Sequence, residues 1–368
     1  MNFELSEDHK VLVDSIKDFV DNEIKPLAIE IDEKHEIPTG LISQIGELGF
    51  FGTYIPEEYG GAGMDYSSYI LTVEEVSKAC ASTGVLIAAH TSLCCGPILS
   101  YGTEDQKKKF LPDLSSGEKI GCFLQTEPNA GSDVSNIDTR YKEEDDCYVI
   151  TGSKIFITNG AYKGTGIVIA TKDKTLGHKG LSAFIVDLET PGVEVIKNEE
   201  KMGIRGSYTT AFGLDGVKVP KENMLGKEGD GRISIGAQAL GIAEGALERS
   251  IEYTQERKQF GKPLSAFQAV SMKLAEMKVR IEQSKLLIYK AAWLKENNKT
   301  YIMESAMAKL SASETATFVT KDAIQVHGGY GFVCEYEVER MYRDAKITEI
   351  YEGTSEIQRI IIGKMLIA

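Results

Sequence analysis

The sequence predicts an α+β chain of several domains: helical first, β-rich in the middle, helical again at the end. Three observations predict it. Apolar residues recur at helical spacing up to about residue 120. Short β-branched runs divided by turn residues then fill about a hundred residues. Long helical repeats close the chain. At 368 residues there is room for two or three domains with sizeable cores. The expected division is 1–120, 121–225 and 226–368.

Ser6 reads as an N-cap, with Glu7 and Asp8 in the first turn and Leu12, Ile16, Phe19 and Val20 as the apolar stripe behind it. Pro26 interrupts that stripe. A second helix is expected over 39–48. The Pro- and Gly-rich stretch from Pro56 to Gly63 is a loop. Two apolar helical stretches follow, 67–80 and 83–101, the second almost uncharged and so a core helix or a pocket wall. Gly102 and Thr103 open an amphipathic helix with a Lys-rich face.

In the middle, β runs are expected at 148–151, 155–158, 166–170, 181–186, 193–196, 209–212 and 217–219, forming a barrel or a sandwich. Asn159-Gly160, the 177–180 segment and Pro191-Gly192 supply turns. In the last part Phe267, Val270, Leu274, Met277, Ile281 and Ile288 mark one long bundle helix. A second runs from about Tyr301 to Val326 and stops at Gly328-Gly329.

Composition excludes several classes. Net charge is −14, against the clustered Lys and Arg that nucleic-acid binding needs and against an anionic membrane surface. No apolar run stands out as a membrane span and no signal peptide is visible. The six cysteines lack zinc spacing and read as reduced core thiols of a cytoplasmic protein. The five histidines are scattered, so no metal site is expected.

Five segments could carry chemistry. In Tyr351-Glu352-Gly353-Thr354, a carboxylate beside exposed backbone N–H groups could remove a proton while an N–H holds the oxyanion. The same residues also describe a helix start capped by Thr354 or Ser355. Phe123 to Asp133 combines a strand end with a Gly- and Ser-containing loop, suited to a flat polar ring or a phosphate, or simply to a surface turn. Phe156 and Thr158 precede an Asn-Gly turn, as in an ordinary hairpin. Arg257, in Glu-Arg-Lys-Gln-Phe-Gly, could bind a pyrophosphate or be a solvated charge. Gln325 to Gly331 is a Gly-capped helix end where a ligand could meet bare backbone. No G-x-G-x-x-G follows a strand, so a dinucleotide would not sit on a Rossmann unit.

Together, Thr-Glu-Pro-Asn-Ala-Gly-Ser-Asp (126–133), Ile-Thr-Asn-Gly (157–160), Glu-Arg-Lys-Gln-Phe-Gly (256–261), His-Gly-Gly-Tyr-Gly (327–331) and Tyr-Glu-Gly-Thr-Ser-Glu-Ile-Gln-Arg (351–359) resemble the acyl-CoA dehydrogenase flavoprotein family. The likeness runs from about Leu5 to Ile367. Ala89 to Leu93 and Arg343 to Ile350 bring it nearest the butyryl-CoA, short-chain branch.

The resemblance implies a helical N-terminal domain, a middle β-barrel and a C-terminal four-helix bundle, assembled as a homotetramer. It implies FAD and an acyl-CoA substrate, with an electron-transfer flavoprotein as acceptor. Glu352 is then the catalytic base, and Gly353 lies against the substrate. Phe123, Leu124, Thr126 and Ser132 line the flavin ring and a nearby phosphate, Ser132 also touching the coenzyme A moiety. Phe156 and Thr158 flank the reactive ring edge. Arg257, Phe260 and Gln268, with Gln325, Gly328 and Gly329, hold the pyrophosphate and adenosine across a subunit boundary. Thr354 and Glu356 contact FAD beyond Glu352, and Arg232 is the substrate-side arginine.

One departure stands out. After Gly226-Lys227-Glu228-Gly229-Asp230-Gly231 the family pattern continues with an apolar helical stretch, whereas this chain runs straight into Arg232. About ten residues, near three helical turns, are absent, with an acidic residue that contacts the pantetheine arm. Within the same likeness, an enoyl-CoA reductase working in reverse, an acyl-CoA oxidase and a flavin- or CoA-binding scaffold with impaired catalysis are the alternatives.

Overall fold

The computed structural model describes residues 5–225 and 232–367. Ser6 caps the first helix as expected, its hydroxyl accepting from the His9 N–H at 3.2 Å. Helix α1 (Glu7–Phe19) does not end at Pro26. It continues through a π turn (Val20–Ile24) and a 3-10 turn (Lys25–Leu27) into α2 (Ala28–Lys34). Pro26 sits in the first positions of the 3-10 turn, directly after the π turn.

Helices α3 (Thr39–Glu47) and α4 (Tyr66–Ala79) follow, then α5 (Ala81–Ala89), a π turn (His90–Cys95) and α6 (Gly96–Tyr101). The last three form one helical run, Ala81–Tyr101, that is apolar and long enough to cross a membrane, contrary to the expectation that no such run exists. Within the fold most of it is buried, as in a core helix. Helix α7 (Glu104–Ser116) opens with a capping box between Thr103 and Gln106.

The middle sheet is open, not a closed barrel. Its strands are β1 (Gly121–Leu124), β2 (Arg140–Glu143), β3 (Cys147–Thr158), β4 (Thr165–Thr171), β5 (Leu181–Asp187), β6 (Val193–Asn198), β7 (Thr209–Pro220) and β8 (Met224–Leu225). The hydrogen-bonded order is β6-β7-β3-β2-β4-β5-β8, with β1 parallel on β4. Closure requires the end strands to pair, and β6 and β8 do not. Strand β1 occupies β4 from Thr165 to Val168, which leaves β2 one bridging pair there, Arg140 with Thr171. The expected runs 148–151 and 155–158 are one strand, as are 209–212 and 217–219. Across what reads as a break, β3 stays paired with β7 through two register shifts: β7 carries the extra residue between Leu214 and Val217, and β3 carries it between Lys154 and Ile157.

The C-terminal part packs α8 (Arg232–Glu256), α9 (Gln268–Glu296) and α10 (Ile302–His327) against one another. A two-stranded hairpin, β9 (Lys258–Gln259) and β10 (Lys262–Pro263), joins α8 to α9. Helices α11 (Val338–Ile347) and α12 (Ser355–Ile367) lie against α10. Helix α8 also packs on α4, and its glycines set the closeness. A Cβ on Gly241 would come within 2.3 Å of the Glu74 carbonyl oxygen, and one on Gly245 equally near that of Lys78. Lys285 bridges Glu74 and Glu244 at 3.0 and 2.7 Å, and Lys78 pairs with Glu75 and Glu244. The N-terminal helices are thus fastened to the bundle by close backbone approach and paired buried charges.

Four cysteines are core thiols as expected, but Cys147 is only half-buried and Cys334 is exposed. The join between Gly231 and Arg232 lies outside the described residues.

Candidate active site

Glu352 and Gly353 stand in succession in the left-handed region, at φ +52° and +87°. For a residue with a side chain this costs about 1–2 kcal/mol and persists only where the surroundings enforce it. Three contacts do so. The amide Nε2 of buried Gln358 donates to the carbonyls of Glu352 (3.1 Å) and Gly353 (2.9 Å). The ammonium of Lys309, on α10, donates to the Gly353 carbonyl at 2.8 Å. The Tyr351 hydroxyl donates to Oε1 of Gln238 on α8. The turn is also a helix start: the Thr354 hydroxyl accepts from the Ile357 N–H at 3.4 Å. The helix-start description of this stretch therefore holds.

The end of β3 is bent by its bulge. Phe156 has φ +59° and its side chain is 59% exposed, while Thr158 is half-buried. Asn159, also left-handed, donates from Nδ2 to the carbonyls of Leu86 on α5 (3.0 Å) and Gly121 on β1 (3.2 Å). Gln238, which holds Tyr351, donates to the carbonyl of Ala81 on the same helix at 3.0 Å. Ala81 and Leu86 are about 7.5 Å apart along a helix. The short, wholly buried α5 thus serves as a common anchor for the Glu352 turn and the Phe156–Thr158 strand end.

The loop after β1 is fixed from beneath. The Glu127 carboxylate accepts from Lys154 Nζ (2.8 Å) and from the backbone N–H groups of Asp138 (2.5 Å) and Thr139 (3.0 Å). Lys154 also donates to the Gln125 carbonyl at 2.9 Å. Both side chains are buried. Burial pulls the Lys154 ammonium down to about 8. For Glu127 burial acts upward, but the Lys154 charge and the hydrogen bonds outweigh it and hold the carboxyl below its ordinary value. Above this clasp Phe123 and Thr126 are half-buried and Ser132 is exposed. Leu124 alternates into the sheet core and is fully buried, so it offers a ligand its backbone at most.

A separate open groove of ≈ 810 Å³ lies at the far end of α10. Arg257, Gly328 and Gly329 line it, with Tyr253, His327, Tyr330 and Tyr336 as an aromatic wall. The Tyr253 and His327 rings stack at 4.2 Å, and the Arg257 guanidinium lies 5.2 Å from the Tyr330 ring centre. A Cβ at Gly328 or Gly329 would meet nothing within 4 Å, so bare backbone faces open space. Phe260 forms the tip of the β9–β10 hairpin with φ +51° and is 93% exposed. Gln268 begins α9, and both it and Gln325 are exposed. Lys309 and His327 are about 27 Å apart along α10. The groove and the Glu352 turn of one chain are therefore distinct places.

Arg232 is the first residue of α8, on the helix that carries Gln238. Thr354 caps α12, and Glu356 is exposed in its first turn. The motifs did not include Lys309, Gln238, Lys154, Tyr253 or Tyr336, and they contained Gln358, His327 and Tyr330 without assigning them these contacts. Outside the motifs, Tyr253 carried a usable signal, four residues before Arg257 and so on the same helical face.

Family models for the acyl-CoA dehydrogenase N-terminal, middle and C-terminal domains match residues 6–118, 122–217 and 215–367. The chain belongs to the acyl-CoA dehydrogenase family. It is therefore an oxidoreductase of the acyl-CoA dehydrogenase kind, and FAD is its cofactor. It is 48% identical to a short-chain specific acyl-CoA dehydrogenase of Clostridium acetobutylicum, over 99% of both chains. It is 44% identical to the human mitochondrial short-chain enzyme, over 99% of this chain and 91% of the relative. Butyryl-CoA dehydrogenase of Megasphaera elsdenii superposes with a TM-score of 0.97 at 45% identity, over 100% of both chains. The alignment with the Clostridium enzyme spans 374 residues, more than this acyl-CoA dehydrogenase contains, so that relative carries residues absent here.

The residues present fit FAD. Open space over Gly328 and Gly329, the Arg257 cation and the aromatic wall suit a pyrophosphate and an adenine. Gly131, beside Ser132, likewise has nothing within 4 Å of its Cβ position.

Proposed function

We propose that this enzyme converts a short-chain, butyryl-CoA-like thioester to its trans-2-enoyl-CoA, with Glu352 as the base. The observation that carries the assignment is the enforced left-handed turn at Glu352, anchored on the same helix as the Phe156–Thr158 strand end. A carboxylate held in one orientation can take the weakly acidic α-proton as it leaves. The Glu352 N–H helps hold the thioester oxygen as negative charge develops there. Bound FAD supplies a hydride acceptor for the β-carbon. Phe123, Thr126, Phe156 and Thr158 position the ring, Ser132 meets a phosphate and the coenzyme A moiety, Leu124 contributes backbone, and Thr354 and Glu356 contact FAD beyond the base. Arg232 and Gly353 receive the substrate.

Arg257, Phe260, Gln268, Gln325, Gly328 and Gly329 hold the adenosine and pyrophosphate of a neighbouring subunit's FAD. The separation of about 27 Å between the groove and the Glu352 turn supports that reading. So does the outer face of α9, where Met272, Val279, Leu286 and Trp293 are exposed at seven-residue spacing, the pattern of a helix face covered by another copy. The assembly proposed is a homotetramer in the cytoplasm, reoxidised by an electron-transfer flavoprotein. A superposable chain (45% identical, TM-score 0.97) belongs to a structure described as concerning the electron transferring flavoprotein of Acidaminococcus fermentans.

The test is anaerobic addition of butyryl-CoA to the FAD-loaded protein. Bleaching of the visible flavin bands is expected. A yellow protein that binds acyl-CoA without bleaching would refute the dehydrogenase reading.

A further inference from the structure

We propose that Lys309 is the positioning residue for Glu352: it holds the turn that carries the base and favours the ionised carboxylate. The proposal rests on Glu352 being the base. Lys309 lies on α10 with its side chain wholly buried. An ammonium is a poor core residue, and an apolar side chain of similar length would fill the same space. What the cation adds is a donor to the Gly353 carbonyl at 2.8 Å and a positive charge near carboxylates. The carboxylates that act on it through space are Glu352 first, then Glu349 and Glu356. The same carbonyl receives Gln358, so two donors from different helices fix one end of a strained pair of residues. Burial lowers the Lys309 ammonium to about 8 against the pull of those carboxylates, which leaves it charged at neutral pH. A neighbouring cation stabilises a carboxylate, and the ionised form is the one that can accept a proton.

The test is stopped-flow anaerobic flavin reduction by saturating butyryl-CoA in the full-length FAD-loaded protein. Lys309→Met, Glu352→Gln and the double variant are compared across pH. Lys309→Met should keep its flavin and its acyl-CoA dissociation constant while reduction slows about ten- to a hundredfold. The acid limb of its rate profile should move to higher pH. Lys309→Arg, which keeps the charge and a donor, should recover part of the rate. The double variant should be no slower than Glu352→Gln, because the two residues act as one unit. Wild-type reduction with an unshifted acid limb in Lys309→Met, or multiplicative losses in the double variant, would overturn the proposal. Where Lys309→Met does not fold, Lys309→Gln retains a neutral donor: a shifted acid limb supports the proposal and an unshifted one overturns it. Wild-type reduction in Glu352→Gln removes the base assignment, and Lys309's role with it. An inactive Glu352→Gln beside a wild-type Lys309→Met removes Lys309 alone.

Discussion

Replacing Lys154 by Met should destabilise the protein by about 3 kcal/mol at pH 7. The substitution keeps an unbranched buried side chain and removes the cation that lies 2.8 Å from the Glu127 carboxylate and 2.9 Å from the Gln125 carbonyl. Breaking a buried pair costs roughly 3–5 kcal/mol. The low end applies because Glu127 keeps the backbone N–H groups of Asp138 and Thr139. At about 2.1 cal/mol/K per residue, this corresponds to a fall of roughly 4 °C in the thermal midpoint. The difference should depend on pH. In the wild type the Glu127 carboxyl is held below its ordinary value, so its contribution is present above the ordinary carboxylate range and lost as pH falls. Without Lys154 the buried carboxyl is expected to rise above its ordinary value, a liability that protonation relieves on acidification. The gap between variant and wild type should therefore narrow from pH 7 to pH 5. Lys154→Met/Glu127→Gln should recover part of the loss. Calorimetry of the three proteins at both pH values checks this. Equal midpoints at pH 7, or a gap that widens on acidification, would refute the reasoning.

Glu352→Gln should retain FAD and slow flavin reduction by at least roughly a hundredfold in single-turnover absorbance measurements. Arg257→Ala should purify largely without flavin, as judged by the ratio of visible to ultraviolet absorbance, with Lys rescuing only partly because it lacks the planar fork. Gly241→Ala should weaken the fastening of α4 to α8, since its Cβ would press to 2.3 Å of the Glu74 carbonyl; a lowered thermal midpoint reports it. Butyryl-CoA should bind about five- to a hundredfold more weakly than to a relative that carries the stretch missing before Arg232, while FAD binds normally; flavin-monitored titration of both proteins measures it.

The sequence by itself determined the order of helices and strands, the caps at Ser6 and Thr103, and the motifs that carry Glu352, Phe156, Thr158 and Arg257. These are local matters of spacing and of residues with particular backbone preferences. It did not determine that the middle sheet stays open, because that depends on β1 pairing with β4, more than forty residues away in sequence. Nor did it show that β3 runs unbroken through its apparent gap, with one bulge on β7 and one on β3 beside Phe156, since a bulge and a break share the same turn residues. Lys309 and Lys154 look in sequence like ordinary polar residues of a helix and a strand, and Gln358 stands in its motif without a visible role. Only tertiary packing buries them, and burial is what turns a solvated charge or amide into a clamp on one particular turn. Likewise, only the fold reveals that the Glu352 turn and the Asn159 strand end share α5 while the Arg257 groove lies at the other end of α10. Contacts that cross between domains leave no periodic trace in a linear chain.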